Sequence, residues 1–314
     1  MQPYIENLVF SSGGIFGISF VGAYAFLVNH NLLPNVKCYS GCSAGSIFAL
    51  LVNLNMTLTE IEEIVQNLDY EKFSDINFLD INTKLGFDSG KKIVDYIDDL
   101  ILKKTGISNI TFAGLHMLSG KKLYINAVCI NDTKIEYFSV DNVPDMQVSF
   151  AVRMSISIPI IFIPVKYNNK LYVDGGMLEY IPNIFPDNSL IIKIKHICKD
   201  NNTFNLKDYC IKLYLCLFNN LQVTTKQSKY VIDIIIPDMD LLTINVTDRI
   251  RKRLYKYGYR AAREYRNNHY NKIDVDGVIN DGVINDGDVD DGVINDGDVD
   301  DGVINDGVIN DIAK

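Results

Sequence analysis

A three-layer α/β/α domain around a central, mostly parallel sheet is the fold class this sequence predicts, and three observations predict it. Short apolar runs suited to buried strands alternate with longer runs at helical spacing, the pattern of successive βα units. Two of the strand runs end in glycine-rich turns, at residues 12–17 and 41–45, that open directly into apolar helices. A third run, residues 171–174, ends in Asp followed by two glycines, at the strand-end position where open α/β sheets carry ligand-binding or catalytic carboxylates.

The 314 residues, 47% of them hydrophobic, have room for one large α/β domain or two small ones. Six Cys, at 38, 42, 129, 198, 210 and 216, and four His show neither disulfide-scaffold density nor paired metal-ligand spacing. Reduced thiols, no zinc and no cofactor are therefore expected. The first residues lack a basic region followed by an apolar one, so an intracellular, cytoplasmic protein is expected. The longest apolar run, residues 15–28, falls short of the roughly 20 residues a membrane-spanning helix needs. The net charge of −9 conceals two regions: thirteen Asp against one Lys from Ile273 onward, and 26 acids against 29 bases in residues 1–272. A mildly basic body suits an anionic lipid surface, but solvated side chains give the same balance.

Residues 7–11 read as a short buried strand leading into Ser12-Gly13-Gly14-Ile15-Phe16-Gly17, after which residues 18–27 form a helix apolar on most sides. Such a turn leaves backbone NH groups free, with the positive end of the helix dipole behind them, a cradle for a phosphate or an oxyanion. A nucleotide is the weaker use. No Lys-Ser or Lys-Thr follows the glycines, and the Gly-x-Gly-x-x-Gly spacing is missing. Next, a strand enters Gly41-Cys42-Ser43-Ala44-Gly45 and leaves into an Ala- and Leu-rich helix, the setting of a nucleophile elbow. Taken alone, the pentapeptide is also compatible with an ordinary strand-to-helix turn. Cys42 reads as a small packing residue rather than a redox switch.

Residues 57–68 and 90–104 carry helical stripes, the second capped by Ser89. Residues 122–130 and 133–140 alternate like a hairpin, or two neighbouring strands, around Asn131-Asp132. A short helix ends before Pro159, since proline disfavours helix at the preceding residue. The chain then runs extended, turns at Asn168-Asn169 and reaches Asp174-Gly175-Gly176, which in isolation is a common Asp-Gly turn. Residues 190–196 and 230–236 read as strands and 205–221 as a helix. A closing helix over residues 247–267 carries Arg251, Lys252, Arg253, Lys256, Arg260, Arg263 and Arg266. Such a helix can touch lipid head groups, although an exposed solvated face is its commoner use.

Together, Ser12-Gly13-Gly14-Ile15-Phe16-Gly17, Gly41-Cys42-Ser43-Ala44-Gly45, the Ser-x-Ser-x-Pro-x-x-Phe stretch from Ser155 to Phe162, and Asp174-Gly175-Gly176 resemble, in order and spacing, the patatin-like phospholipase family. The resemblance covers residues 5–265 and implies a lipid acyl hydrolase of phospholipase A type. In it Ser43 is the nucleophile, Asp174 its partner and general base, and no His takes part. Gly13, Gly14 and Ile15 would supply oxyanion amides; Gly17, Gly41, Gly45, Gly175 and Gly176 are the motif glycines. It also implies an acyl-lipid substrate and peripheral membrane contact, with no metal and no nucleic acid. Two departures stand out: Ser12 replaces the family's third glycine, and Phe16 occupies a position that usually holds Lys or Arg.

The chemistry follows from the residues as well. A serine hydroxyl is a poor nucleophile until a neighbouring base takes its proton, and burial in an acyl-binding site raises a carboxylate's pKa toward that task. His196 follows Asp174 and leaves a Ser-Asp-His triad formally open. Acyl transfer to an alcohol or lysolipid is the rival reaction, and a catalytically silent lipid-binding scaffold the rival class. From Asp276 the chain becomes seven acidic pentads ending at Asn310, too few for a stable solenoid and without the Gly and Glu of an EF-hand. The expected organisation is thus a catalytic domain over residues 1–272 and a disordered acidic tail over 273–314.

Overall fold

The computed structural model describes residues 3–77, 81–185, 187–197, 228–237 and 246–270. In chain order these form β1 (Asn7–Phe10), α1 (Ser19–Asn29), β2 (Cys38–Gly41), α2 (Ala44–Asn53), α3 (Leu58–Gln66), α4 (Ile81–Lys84), β3 (Gly86–Asp88), α5 (Lys91–Thr105), α6 (Phe112–Ser119), β4 (Lys122–Cys129), β5 (Lys134–Phe138), α7 (Val148–Ser155), β6 (Ile160–Phe162), β7 (Val165–Tyr167), β8 (Lys170–Asp174), β9 (Ser189–Ile197), β10 (Tyr230–Pro237) and α8 (Asp248–Tyr270). The main sheet runs β10-β9-β1-β2-β4-β8-β7, with β5 also paired to β4. Strands β10, β9, β1, β2 and β4 are mutually parallel, whereas β5, β7 and β8 are antiparallel to their neighbours. Helices flank this mixed sheet, as the alternating pattern predicts.

The centre of the sheet is covered on both faces, which is why β1 reads as an unbroken apolar run: all four of its residues are buried. Below the glycine turns, Phe10, Phe20 and Phe48 meet at ring-centroid distances of 4.9 to 5.7 Å, joining β1, α1 and α2 in the largest core cluster. Helix α1 is apolar on most sides because α8 covers its outer face. At their crossing the backbones touch: a Cβ added at Gly22 would lie 1.9 Å from the Tyr255 carbonyl oxygen, and one at Gly258 1.8 Å from that of Ser19.

One strand edge brings distant chain segments together. Because β5 pairs with β4 from Ile125 to Cys129, it takes one edge of that strand; β2, opposite residues 122–125, and β8, opposite residues 127–129, must share the other. Gly41 is thus level with Ile125 and Asp174 with Ala127, two residues or about 7 Å farther along β4.

Local details refine the sequence expectations. Helix α3 starts with a capping box in which Thr57 and Glu60 bond each other's backbone amides. Helix α5 is capped by Gly90 at φ +64 rather than by Ser89, although the Ser89 hydroxyl does accept the Lys91 amide at 3.1 Å. Residues 131–132 sit in the β4–β5 hairpin, and the Asn168-Asn169 turn joins β7 to β8 with φ +48 and +61, the left-handed pair that a two-residue hairpin needs. The two-stranded β3–β6 sheet was not visible in the sequence, since three residues are too short for a periodic signal. Among the described residues, no helix is long and apolar enough to cross a membrane. The predicted helix over 205–221 and the acidic tail over 273–314 lie outside the described residues.

Candidate active site

Ser43 stands between β2 and α2 at φ +53 and ψ −123, a backbone conformation that a non-glycine residue adopts only when its surroundings impose it. Close backbone packing imposes it here. A Cβ at Gly41 would lie 2.1 Å from the Gly45 carbonyl oxygen, and one at Gly45 2.4 Å from that of Ser11, so neither position tolerates a side chain. The turn is closed by the Gly45 amide on the Cys42 carbonyl and the Ser46 amide on the Ser43 carbonyl, both at 2.8 Å.

Asp174 ends β8 and is fully buried. Its Oδ1 accepts the Gly176 amide at 2.7 Å. The Ser43 side chain approaches the carboxyl and favours its ionised form, yet Oδ2 is buried with no fully formed hydrogen bond among the described residues. Burial outweighs both stabilising contacts and pushes the Asp174 pKa up to about 7. A carboxylate with one oxygen fixed and the other unpartnered beside a serine is poised to accept a proton.

The glycine turn forms a short 3-10 helix, Gly14–Ile18, with Gly14 at φ +51. Its first bonded amide is that of Phe16, on the Gly13 carbonyl at 3.0 Å. The amides of Gly13, Gly14 and Ile15 precede it and, among the described residues, have no backbone acceptor. The turn packs on the elbow, since a Cβ at Gly17 would meet that of Ala44 at 3.1 Å. Ser12, the departure from three glycines, donates its amide to the Tyr180 carbonyl at 2.9 Å, and Ser11 Oγ accepts the Ile194 amide at 3.1 Å. Phe16, the other departure, is buried in the core, where a charged side chain would be costly.

Sequence reasoning quoted Ser155 and Ser157 but gave them no task. Ser155 Oγ accepts the Ser43 amide at 2.9 Å, and the Ser157 carbonyl accepts the Asp174 amide at 2.9 Å. One Ser-x-Ser segment therefore braces both residues. Arg153, buried one turn earlier, donates to Ser157 Oγ and reaches the carbonyls of Ser89 at 2.8 Å and Ile163 at 2.8 Å. Burial lowers its pKa to about 10, with Asp88 and Asp75 opposing the shift, so it remains a cation at neutral pH. The signal was present, an Arg two residues before a Ser-x-Ser ahead of proline, but its meaning depended on which element lay across from it.

Other candidates are placed elsewhere. Cys42 is fully buried, and burial with the Asp174 and Glu179 charges pushes its thiol pKa well up, leaving an unreactive protonated thiol. His30, His116 and His269 sit toward the C-terminal ends of α1, α6 and α8, and His196 lies in β9, four residues past the partner of Phe10. Among the described residues, Cys129, Asp132 and Glu136 could surround a metal ion. However, Lys170 holds Asp132 at 2.6 Å and Lys134 holds Glu136 at 3.3 Å, so these carboxylates already have cations.

Residues 8–183 match the family model for patatin-like phospholipases. The chain is 30% identical over 283 residues to an uncharacterised protein of Acanthamoeba polyphaga mimivirus, covering 84% of this chain and 94% of that one. It is also 30% identical over 184 residues to a probable lipid hydrolase of Invertebrate iridescent virus 6, covering 57% of this chain and 62% of the relative, less than two thirds of its length. The crystal structure of VipD from Legionella pneumophila shares the fold, with a TM-score of 0.60 at 16% identity over 85% of this chain and 67% of VipD.

Proposed function

The chain belongs to the patatin-like phospholipase family, a hydrolase family acting on lipid, and from that premise we propose that Ser43 and Asp174 cleave fatty-acyl esters of membrane phospholipids through an acyl-enzyme. The observation that carries this reading is the buried, unpartnered Oδ2 of Asp174 beside the Ser43 hydroxyl. Ser43 Oγ attacks the ester carbonyl carbon while Asp174 takes its proton. The carbonyl oxygen, now an oxyanion, is met by the amides of Gly13, Gly14 and Ile15; loss of one such donor typically costs about 10²- to 10³-fold in rate. The tetrahedral centre collapses, the acyl-carbon-to-alkoxy bond breaks, and Asp174 returns the proton to the departing lysolipid oxygen. Water, deprotonated in turn by Asp174, attacks the acyl-Ser43 ester; the bond from the acyl carbon to Ser43 Oγ breaks, Asp174 returns the proton to Oγ, and the fatty acid leaves.

Fatty-acid release from mixed phospholipid vesicles tests the reading, comparing wild type with Ser43→Ala and Asp174→Asn after each is checked for folding. Wild type should release fatty acid and lysolipid, with both variants reduced by at least about 10³-fold. Equal release by all three would reject the assignment, and residual release that His196→Ala abolishes would favour a triad.

A further inference from the structure

We propose that Tyr180 is a positioning residue whose hydroxyl and carbonyl hold the glycine turn, with its oxyanion amides, in place relative to the Asp174 turn. The inference rests on the proposed Ser43-Asp174 chemistry and adds to it a residue that acts through others. Strand β1 stops at Phe10, whereas β9 beside it runs on to Ile197. Residues two apart in a strand turn their NH and C=O groups toward the same neighbour. The Ile192 carbonyl accepts the Ser11 amide at 3.1 Å, so Ile194 faces that same side, beyond the end of β1. Both of its backbone groups are nevertheless partnered. Ser11 Oγ accepts the Ile194 amide at 3.1 Å, and the Tyr180 hydroxyl donates to the Ile194 carbonyl. Two side chains thus stand in for the missing strand.

The same bonds fix the start of the glycine turn. The Tyr180 carbonyl accepts the Ser12 amide at 2.9 Å, and Ser11 Oγ donates to the Ser12 carbonyl at 2.8 Å. The next residue, Gly13, rests on Ile194: a Cβ added there would lie 2.5 Å from Ile194 Cδ1. Where Ile194 is held therefore decides where the first oxyanion amide points. Tyr180 is itself well anchored. Its ring is buried with Val9, Ile181 and Ile191 in a small apolar cluster, and burial pushes its hydroxyl pKa up, which keeps the donor protonated. Asp174 precedes it by six residues. The turn between them is closed by the Leu178 and Glu179 amides on the Gly175 carbonyl, at 3.2 and 2.9 Å. One short segment thus carries the base at its start and the brace of the oxyanion turn at its end.

The test uses the full chain and a soluble short-chain ester, comparing wild type with Ser43→Ala, Tyr180→Phe, Ser11→Ala and the double variant Tyr180→Phe/Ser11→Ala, each with its melting temperature. An alkyl trifluoromethyl ketone is the second probe: Ser43 Oγ adds to its carbonyl carbon, the proton passes to Asp174, and the carbonyl oxygen becomes an oxyanion facing the same amides. Tyr180→Phe should lower kcat by about 10- to 10²-fold with KM little changed, because a shifted turn weakens contacts made in the transition state. Ketone affinity should fall by the same factor. The pH midpoint of kcat/KM should stay at about 7, since Asp174 keeps its surroundings. Ser11→Ala should act alike, and the double variant should lose far less than the product of the two losses, since both hydroxyls hold Ile194. Wild-type kcat and ketone affinity in Tyr180→Phe, whatever its melting temperature, overturn the inference, as do losses that multiply in the double variant. Should Tyr180→Phe not fold, Ser11→Ala is read by the same kcat, KM and ketone criteria. Hydrolysis undiminished by Ser43→Ala rejects the catalytic reading and this inference with it, whereas activity lost in Ser43→Ala but kept in Tyr180→Phe rejects this inference alone.

Discussion

Asp174 is buried with no cation in hydrogen-bond contact among the described residues, and its pKa of about 7 carries two consequences at the scale of a single residue. The proposed base works only when ionised, so kcat/KM on a soluble ester should rise with pH and level off above about 7. A flat profile between pH 5 and 8 (roughly the range over which such a base titrates) would contradict the role. The second consequence concerns stability. The folded chain holds this proton more tightly than the unfolded chain, whose Asp titrates near 3.8. The cost of the buried charge therefore sets in as pH rises above about 4 and is complete above about 7. Asp174→Asn, which removes that charge but keeps an acceptor for Gly176, should be inactive yet more stable than wild type at pH 8, by about 1–4 kcal/mol. The gap should vanish toward pH 4 in urea titrations. The residues themselves were readable: Ser43, Asp174 and the glycines of both turns stand at ends of short apolar runs, where local chemistry is strongly patterned. The burial that tunes Asp174 was only an expectation, because it depends on segments from other parts of the chain, such as β4, which pairs with it at Ala127, and Cys42 of the elbow.

Elements with a local signature were legible, and those defined by partners were not. Helices α1, α2, α3, α5 and α8 announce themselves by helical spacing, and the hairpins by their turn residues. In contrast, the β3–β6 pair is three residues on each side, below any periodic signal. The end of α7 is the instructive case. Its sequence reads as a short helix stopped by Pro159, yet what it does is set by two bonds to segments far away in the chain, the Ser43 amide on Ser155 Oγ and the Asp174 amide on the Ser157 carbonyl. Ser155→Ala should leave a buried amide unpaired at a turn already held at φ +53, costing about 1–3 kcal/mol of stability. Because the fully buried hydroxyl holds the nucleophile through its backbone amide, kcat should fall while KM changes little; Ser155→Thr, which retains the acceptor, should recover part of the rate. Loss of stability with kcat intact would make Ser155 structural only.

For the whole molecule, alternation of strand and helix predicts a mostly parallel sheet, and the five parallel strands bear that out. The order β10-β9-β1-β2-β4-β8-β7 could not be read, since pairing is decided by contacts between distant runs of nearly equal hydrophobicity. That order matters for chemistry: β4 extends past β2, and on the same edge it receives β8, so a Ser and an Asp 131 positions apart end in adjacent places. The most direct test of this convergence is the covalent labelling rate of a serine-reactive alkyl phosphonate, with the labelled peptide identified by mass. The label should fall on Ser43, its rate should rise with pH through about 7, and Asp174→Asn should slow it by about 10²-fold or more. Labelling at another residue, or at Ser43 with the same rate in Asp174→Asn, would contradict the account.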